Sequence, residues 1–271
     1  MTSLESTTQV PLSLRLPFRL ERAELLKLRK NRSVWIPAAL LTIGAMVIMY
    51  GAVELFHVFN PSGVGPAGGT ANFGDAVFLI GELAATISAL LIGAAVATQD
   101  MSSGTLRYLV STGRSRARLY LARLVGGLTL LVPLMVAAYA VAAVSCVLFA
   151  SDLPTPGATL FIKGGLWVLL SAVVTYLIAF GLGSFTGSRA ATISILIAYL
   201  LPVQGILHRI DVLGQARDGL LSVAIAGLSP FPPVSVKDQI ILTHSTSLIV
   251  LAVWVGIFSG IGLWRTWRRD A

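Results

Sequence analysis

The chain has 271 residues, 55% of them hydrophobic and only 12% charged, about half the charged fraction of an average soluble domain. Twenty Lys and Arg against twelve Asp and Glu leave a formal charge of +8. That composition excludes an ordinary soluble enzyme, and the single cysteine, Cys146, excludes an intramolecular disulfide and any multi-cysteine metal site.

A helix needs roughly 20 mostly apolar residues to cross a bilayer, and the sequence offers six such runs: 34–53, 76–98, 124–150, 164–184, 190–207 and 248–264. The predicted fold is an all-α polytopic membrane protein, one domain over 1–271. It comprises a tail and interfacial helix (1–33), a six-span bundle (34–264) and a basic tail (265–271). Lys and Arg near span ends stay in the cytoplasm. With the N-terminus inside, sixteen of the twenty fall on the cytoplasmic side and four outside, so both termini are expected in the cytoplasm of a plasma (inner) membrane protein. The basic residues follow the membrane borders, where anionic headgroups attract them, and do not gather with aromatics on one surface, so membrane lipid is the expected contact and nucleic acid is not.

From Pro17, a proline at a first helical position precedes strong helix formers. An interfacial helix is expected there, with Arg19, Arg22, Lys27, Arg29 and Lys30 snorkelling to the headgroups. The first apolar run starts only at Val34 and is longer than the h-region of a secretory signal, so a cleaved leader is not expected. The first span ends at Glu54, Phe56 and His57. After it, GVGPAGGT (63–70) falls one residue short of a phosphate-binding loop, with Gly69 where the lysine belongs, and is expected to be only a flexible turn.

Span 2 carries Glu82 about two turns in, where a carboxyl costs about 2 to 3 kcal/mol unless it faces protein or water. Glu82, Thr86 and Gly93 share one helical stripe that overlaps a small-residue ridge. With Glu54 they are candidates for a translocation path or a subunit contact. A structural carboxyl bonded to a neighbouring helix is an equal alternative for Glu82.

Between spans 2 and 3 lies QDMSSGTLRYLVSTGRSRARLYLAR (99–123), with five arginines and one aspartate. N-cap serines, Leu106, Leu109 and Val110 on one face, and Gly113 as a stop predict a short helix lying flat under the membrane. Span 3 has Pro133 near its middle and is expected to kink or open there. The turn FGLGSFTGSRAA makes spans 4 and 5 antiparallel neighbours. GLLSVAIAGL (219–228) is too short to cross; a re-entrant or surface-lying helical piece fits it better than a soluble loop. In span 6, Gly256 and Gly260 stand in G-x-x-x-G register, which permits close helix approach, and Trp264 and Trp267 mark the inner interface. The three histidines are scattered on the outer side, and no metal site is expected. No nucleophile is paired with a base in the spans, and apart from Glu82 and the border residue Glu54 they hold no ionisable group, so any uphill transport draws its energy from outside them.

Four stretches resemble the membrane-spanning subunits of ABC transporters of the type-2 exporter (ABC-2) class: AELLKLRKNRSVW, QDMSSGTLRYLVSTGRSRARLYLARL, FGLGSFTGSRAATI and WRTWRRDA. The second is similar to the family's acidic, S-G-T-L, basic cytoplasmic loop, with Gly113 where the family often has proline. The resemblance implies a permease with no catalytic residue and no bound cofactor. It also implies two ABC ATP-binding subunits that hold ATP and Mg on the cytoplasmic face, and a second permease subunit, a homodimer preferred over a heterodimer. Asp100, Ser103, Gly104, Thr105, Leu106, Arg107, Tyr108, Ser111 and Arg116 would be the coupling residues. The implied activity is ATP-driven export of an amphipathic or lipophilic compound, for which antibiotic, peptide or lipid-like cargo and roles in resistance or immunity are common in the family. An ATP-independent ion-coupled carrier, or a non-transporting anchor or assembly protein, are the alternatives.

Overall fold

The computed structural model describes residues 26–27, 30–102, 115–231 and 242–268. Six helices long and apolar enough to cross a membrane are present: Arg32–Phe59, Gly69–Gln99, Arg116–Leu148, Ala158–Thr186, Arg189–Leu207 and His244–Arg268, spans 1 to 6. The chain is thus an all-helical integral membrane protein. Five of the helices cover their predicted apolar runs, while span 3 ends at Leu148, two residues short of its predicted run; most extend past the run at one end or both, because helical hydrogen bonding continues into the polar borders after the apolar run stops. With six spans, residues 32, 102, 116, 186, 189 and 268 meet at one end of the bundle, the basic end, and the remaining connections at the other.

Spans 2 and 4 are the buried central pair, with spans 1, 3, 5 and 6 exposing one face each. Hydrocarbon provides no hydrophobic drive between helices, so close approach and side-chain donors must hold them. A Cβ at Gly81 would come within 2.2 Å of the Trp167 ring, and one at Gly93 within 2.9 Å of Ala179 Cβ and the Tyr176 carbonyl. Span 6 crosses span 4 in the same way: a Cβ at Gly181 would meet the Phe258 carbonyl at 2.3 Å, and one at Gly262 the Gly181 carbonyl at 2.7 Å. The G-x-x-x-G pair behaves differently. Nothing in the described chain comes within 4 Å of a Cβ at Gly256 or Gly260, and both face outward beside exposed Val253 and Ile257.

Three spans contain a π-helical stretch that hydropathy does not register: Leu40–Gly44 in span 1, Leu79–Ala84 in span 2 and Tyr199–Val203 in span 5. The last holds Pro202, which has no N–H to give. Span 3, by contrast, runs helical from Arg116 to Leu148 straight through Pro133. Span 4 stops at Gly187, left-handed at φ 71°, whose N–H bonds the Gly183 carbonyl, and Ser188 then caps span 5 by accepting from Ala191 N. This two-residue corner makes spans 4 and 5 neighbours, as expected.

At the other end, the loop after span 1 is tied down. Glu54 Oε2 accepts from Ala67 N at 3.1 Å, and His57 Nδ1 donates to the Val64 carbonyl at 2.6 Å. Gly68 N bonds the Phe149 carbonyl, Thr70 N and Oγ1 bond the Pro154 carbonyl, and a Cβ at Gly68 would strike Ala150 N at 2.3 Å. Gly68 and Gly69 therefore serve a close packing of two loops, in a stretch expected to be only a flexible turn. The helical piece expected within 219–228 is Leu221–Ala226, buried against spans 4 and 6, with Trp167 Nε1 donating to the Ile225 carbonyl at 2.8 Å. Phe231 beyond it meets Phe73 of span 2, which also touches Tyr139 and Phe161, so one aromatic cluster joins spans 2, 3 and 4 to this segment.

Gly181→Val is expected to lower stability by about 1 to 3 kcal/mol through overpacking against the Phe258 carbonyl. Gly256→Val, with open space at its Cβ, is expected to leave it near wild type; thermal unfolding in detergent distinguishes the two.

Candidate functional site

Two places in the bundle carry polar chemistry beyond ordinary helix capping: the basic end where span 3 begins, and the π-helical stretch of span 2.

At the basic end, span 2 continues as helix to Ser102, so Asp100 falls in its last turn, though its side chain is outside the described part. Ser103, Gly104, Thr105, Leu106, Arg107, Tyr108 and Ser111 all lie outside the described residues, as do Arg19, Arg22 and Arg29 of the expected interfacial helix. Of that helix, Lys27 and Lys30 are described, both in helical backbone, with Lys30 exposed.

Span 3 opens on Ser115, whose Oγ accepts from Arg118 N. Its first two turns then present Arg116, Tyr120 and Arg123 at the i, i+4, i+7 spacing of one helical face. Each reaches a main-chain carbonyl of another span: Arg116 Nη1 donates to Trp267 at 2.9 Å, Tyr120 Oη to Ser259 at 3.2 Å, and Arg123 Nη1 to Ala97 at 3.4 Å. Arg123 is 1% exposed, and its Nε also holds the Leu119 carbonyl of its own helix. A guanidinium that deep is tolerated because it stands near the carboxyl-terminal end of span 2, where the helix dipole is negative. The phenol of Tyr120 lies edge-on to Phe180, and Tyr176, stacked on Phe180, donates to the Leu124 carbonyl at 2.9 Å. The end of span 6 is dressed with cations over rings, Arg265 over Phe185 and Arg268 over Trp264. The start of span 3 is thereby fastened to the ends of both span 2 and span 6. Tyr120 and Arg123 escaped notice in the sequence because the segment reads as loop charge; the signal was their period with Arg116.

In span 2, Ala85 N bonds the Ile80 carbonyl, five residues back, in place of Gly81. The Gly81 carbonyl, released from the helix, accepts from Ser171 Oγ of span 4 at 2.8 Å, and the Thr86 hydroxyl turns back toward it at 3.5 Å. Trp167 covers Gly81 from the same side. The stripe of Glu82, Thr86 and Gly93 is thus divided. Thr86 faces its own backbone, and Gly93 lies inside the crossing with span 4, not on an open face. Glu82 remains, half-buried beside exposed Leu83, with Oε1 buried and without a hydrogen-bond partner among the described residues. Glu54 stands apart from it at the far end, occupied with Ala67 N. No group of three or more His, Cys, Asp or Glu suited to a metal occurs among the described residues.

Residues 20–205 match a family model described as "ABC-2 family transporter protein". No curated protein matches the chain.

Tyr120→Phe removes only the hydroxyl that reaches Ser259 and is expected to cost about 1 kcal/mol, typical of an interhelical hydrogen bond in a membrane. Hydrogen exchange should quicken at residues 259–268 while span 5 keeps its protection.

Proposed function

Because the chain belongs to the ABC-2 family of transporter proteins, its match covering well over half of its length, we propose that it is the permease subunit of an ATP-driven exporter. Paired with a second permease subunit, an identical copy in the simpler arrangement, it forms the path by which an amphipathic or lipophilic compound leaves the cell. The match over residues 20–205 carries this reading, since it takes in spans 1 to 4, most of span 5 and the segment between spans 2 and 3.

The physical chemistry of the spans supports it. Their apolar runs hold a single Asp, Glu, Lys or Arg, Glu82, and no nucleophile set beside a base, which argues against hydrolysis or ion-driven exchange inside the bundle. Energy then enters at an end. The excess of Lys and Arg puts the basic end in the cytoplasm of the plasma membrane, together with both termini. There a separate ATPase, which holds ATP and Mg, docks on residues 99–115 and the basic stretch before Arg32. A push on that segment meets the start of span 3, where Arg116, Tyr120 and Arg123 pass it to the main chains of spans 6 and 2. Carbonyl acceptors transmit displacement well because the backbone of a packed helix moves as a unit. Cargo such as an antibiotic, a peptide or a lipid-like molecule fits the exposed apolar faces of spans 1, 5 and 6, which make a route open to the bilayer.

A P-loop ATPase is expected to co-purify with the chain. Arg107→Ala or Tyr108→Ala is expected to abolish cargo-stimulated ATPase activity in proteoliposomes while basal hydrolysis persists. Transport that collapses with ionophores but continues without ATP would refute the assignment.

A further inference from the structure

Glu82 is the only Asp, Glu, Lys or Arg within the six apolar runs 34–53, 76–98, 124–150, 164–184, 190–207 and 248–264. It lies roughly 9 Å inside the outer end of its run, at 1.5 Å per residue. Its neighbours do not satisfy it. The π-helical turn gives the Gly81 carbonyl to Ser171 and seats Trp167 on Gly81, which fixes span 2 about its axis on the span 4 side. Glu82, the next residue, is therefore held in a set direction off that contact, with Oε1 buried and unpartnered and Leu83 beside it 45% exposed. The arrangement is rigid, reachable at its edge and short of a donor.

Among the described residues no donor reaches Oε1, and the apolar runs offer no cationic one. No Lys or Arg occurs in any of the six runs, so a second copy of the chain has none to offer either. An acceptor in a low-dielectric site gains most from a donor that is also cationic. We propose that Glu82 is a recognition point for a protonated amine or guanidinium group on an amphipathic molecule, whose apolar body lies along the exposed face beside Leu83. This rests on the permease reading and sharpens it, because it gives the cargo a chemical class, a lipophilic cation with N–H donors.

The test uses the full chain in lipid nanodiscs, with tritiated 1-adamantylamine and its neutral isostere 1-adamantanol in equilibrium dialysis, empty nanodiscs being subtracted. Wild type is expected to bind the amine saturably and to prefer it to the alcohol by about tenfold or more, the scale of one charge-assisted hydrogen bond. Glu82→Gln should lose that preference and Glu82→Asp recover part of it, with thermal unfolding of both variants at the wild-type temperature. Equal binding of amine and alcohol to wild type, no saturable amine binding, or an undiminished preference in Glu82→Gln overturns the proposal. The wild-type comparison decides by itself should a variant not fold. If the amine preference depends on Glu82 but no ATPase associates with the chain, the transport reading fails and the cation site stands. If an ATPase associates and couples while amine binding ignores Glu82, the cation site fails alone.

Discussion

The crossing of spans 2 and 4 is the constraint on which the bundle depends. Lipid tails are as apolar as leucine, so nothing drives two spans together unless their backbones approach closely enough to gain dispersion and hydrogen bonds that lipid cannot supply. Gly81 and Gly93 permit that approach at two heights, and Ser171 joins it by bonding a carbonyl that the π-helical turn has released. Once this pair is fixed, the placement of the rest follows. Span 6 locks onto the other side of span 4 at Gly181 and Gly262, span 1 reaches span 2 through Ser88 Oγ on the Ala38 carbonyl, and the segment Leu221–Ala226 is held by the same Trp167 that covers Gly81.

The two polar places in the bundle answer opposite demands. At the basic end Arg116, Tyr120 and Arg123 each donate to a main-chain carbonyl of another span, and the result is a joint among spans 2, 3 and 6. In the π-helical stretch of span 2 the backbone is fixed as well, but Glu82 Oε1 has no donor among the described residues. On the proposed reading the first kind of place carries force and the second discriminates among molecules.

Much of the architecture was legible in the sequence, because a span announces itself by twenty apolar residues and needs no tertiary information. The corner at Gly187 and Ser188, the helical piece after span 5 and the odd position of Glu82 were legible for the same local reason. Which glycine makes a contact was not. Gly256 and Gly260 fit the packing motif and face outward, while Gly181 and Gly262 sit in no such register and make the crossing. A spacing rule gives the face of a helix but not the direction in which that face points. The π-helical turns were invisible too, since an i+5 bond leaves hydropathy unchanged; they shift the angular register, which is why the stripe of Glu82, Thr86 and Gly93 comes apart in the fold. The grip of Arg116, Tyr120 and Arg123 lay in the sequence as a plain helical period, masked by its nearness to a charged loop.

The acceptors in that grip are main-chain carbonyls of Ala97, Ser259 and Trp267, and every residue type has one. Among descendants of an ancestral gene, selection would therefore act on the three donors alone, while the positions they hold drift freely so long as the helices stay in place. Correlated substitution, the usual evolutionary trace of contact, would be silent here. The joint that ties three spans together would appear in a family tree as three unrelated invariant side chains.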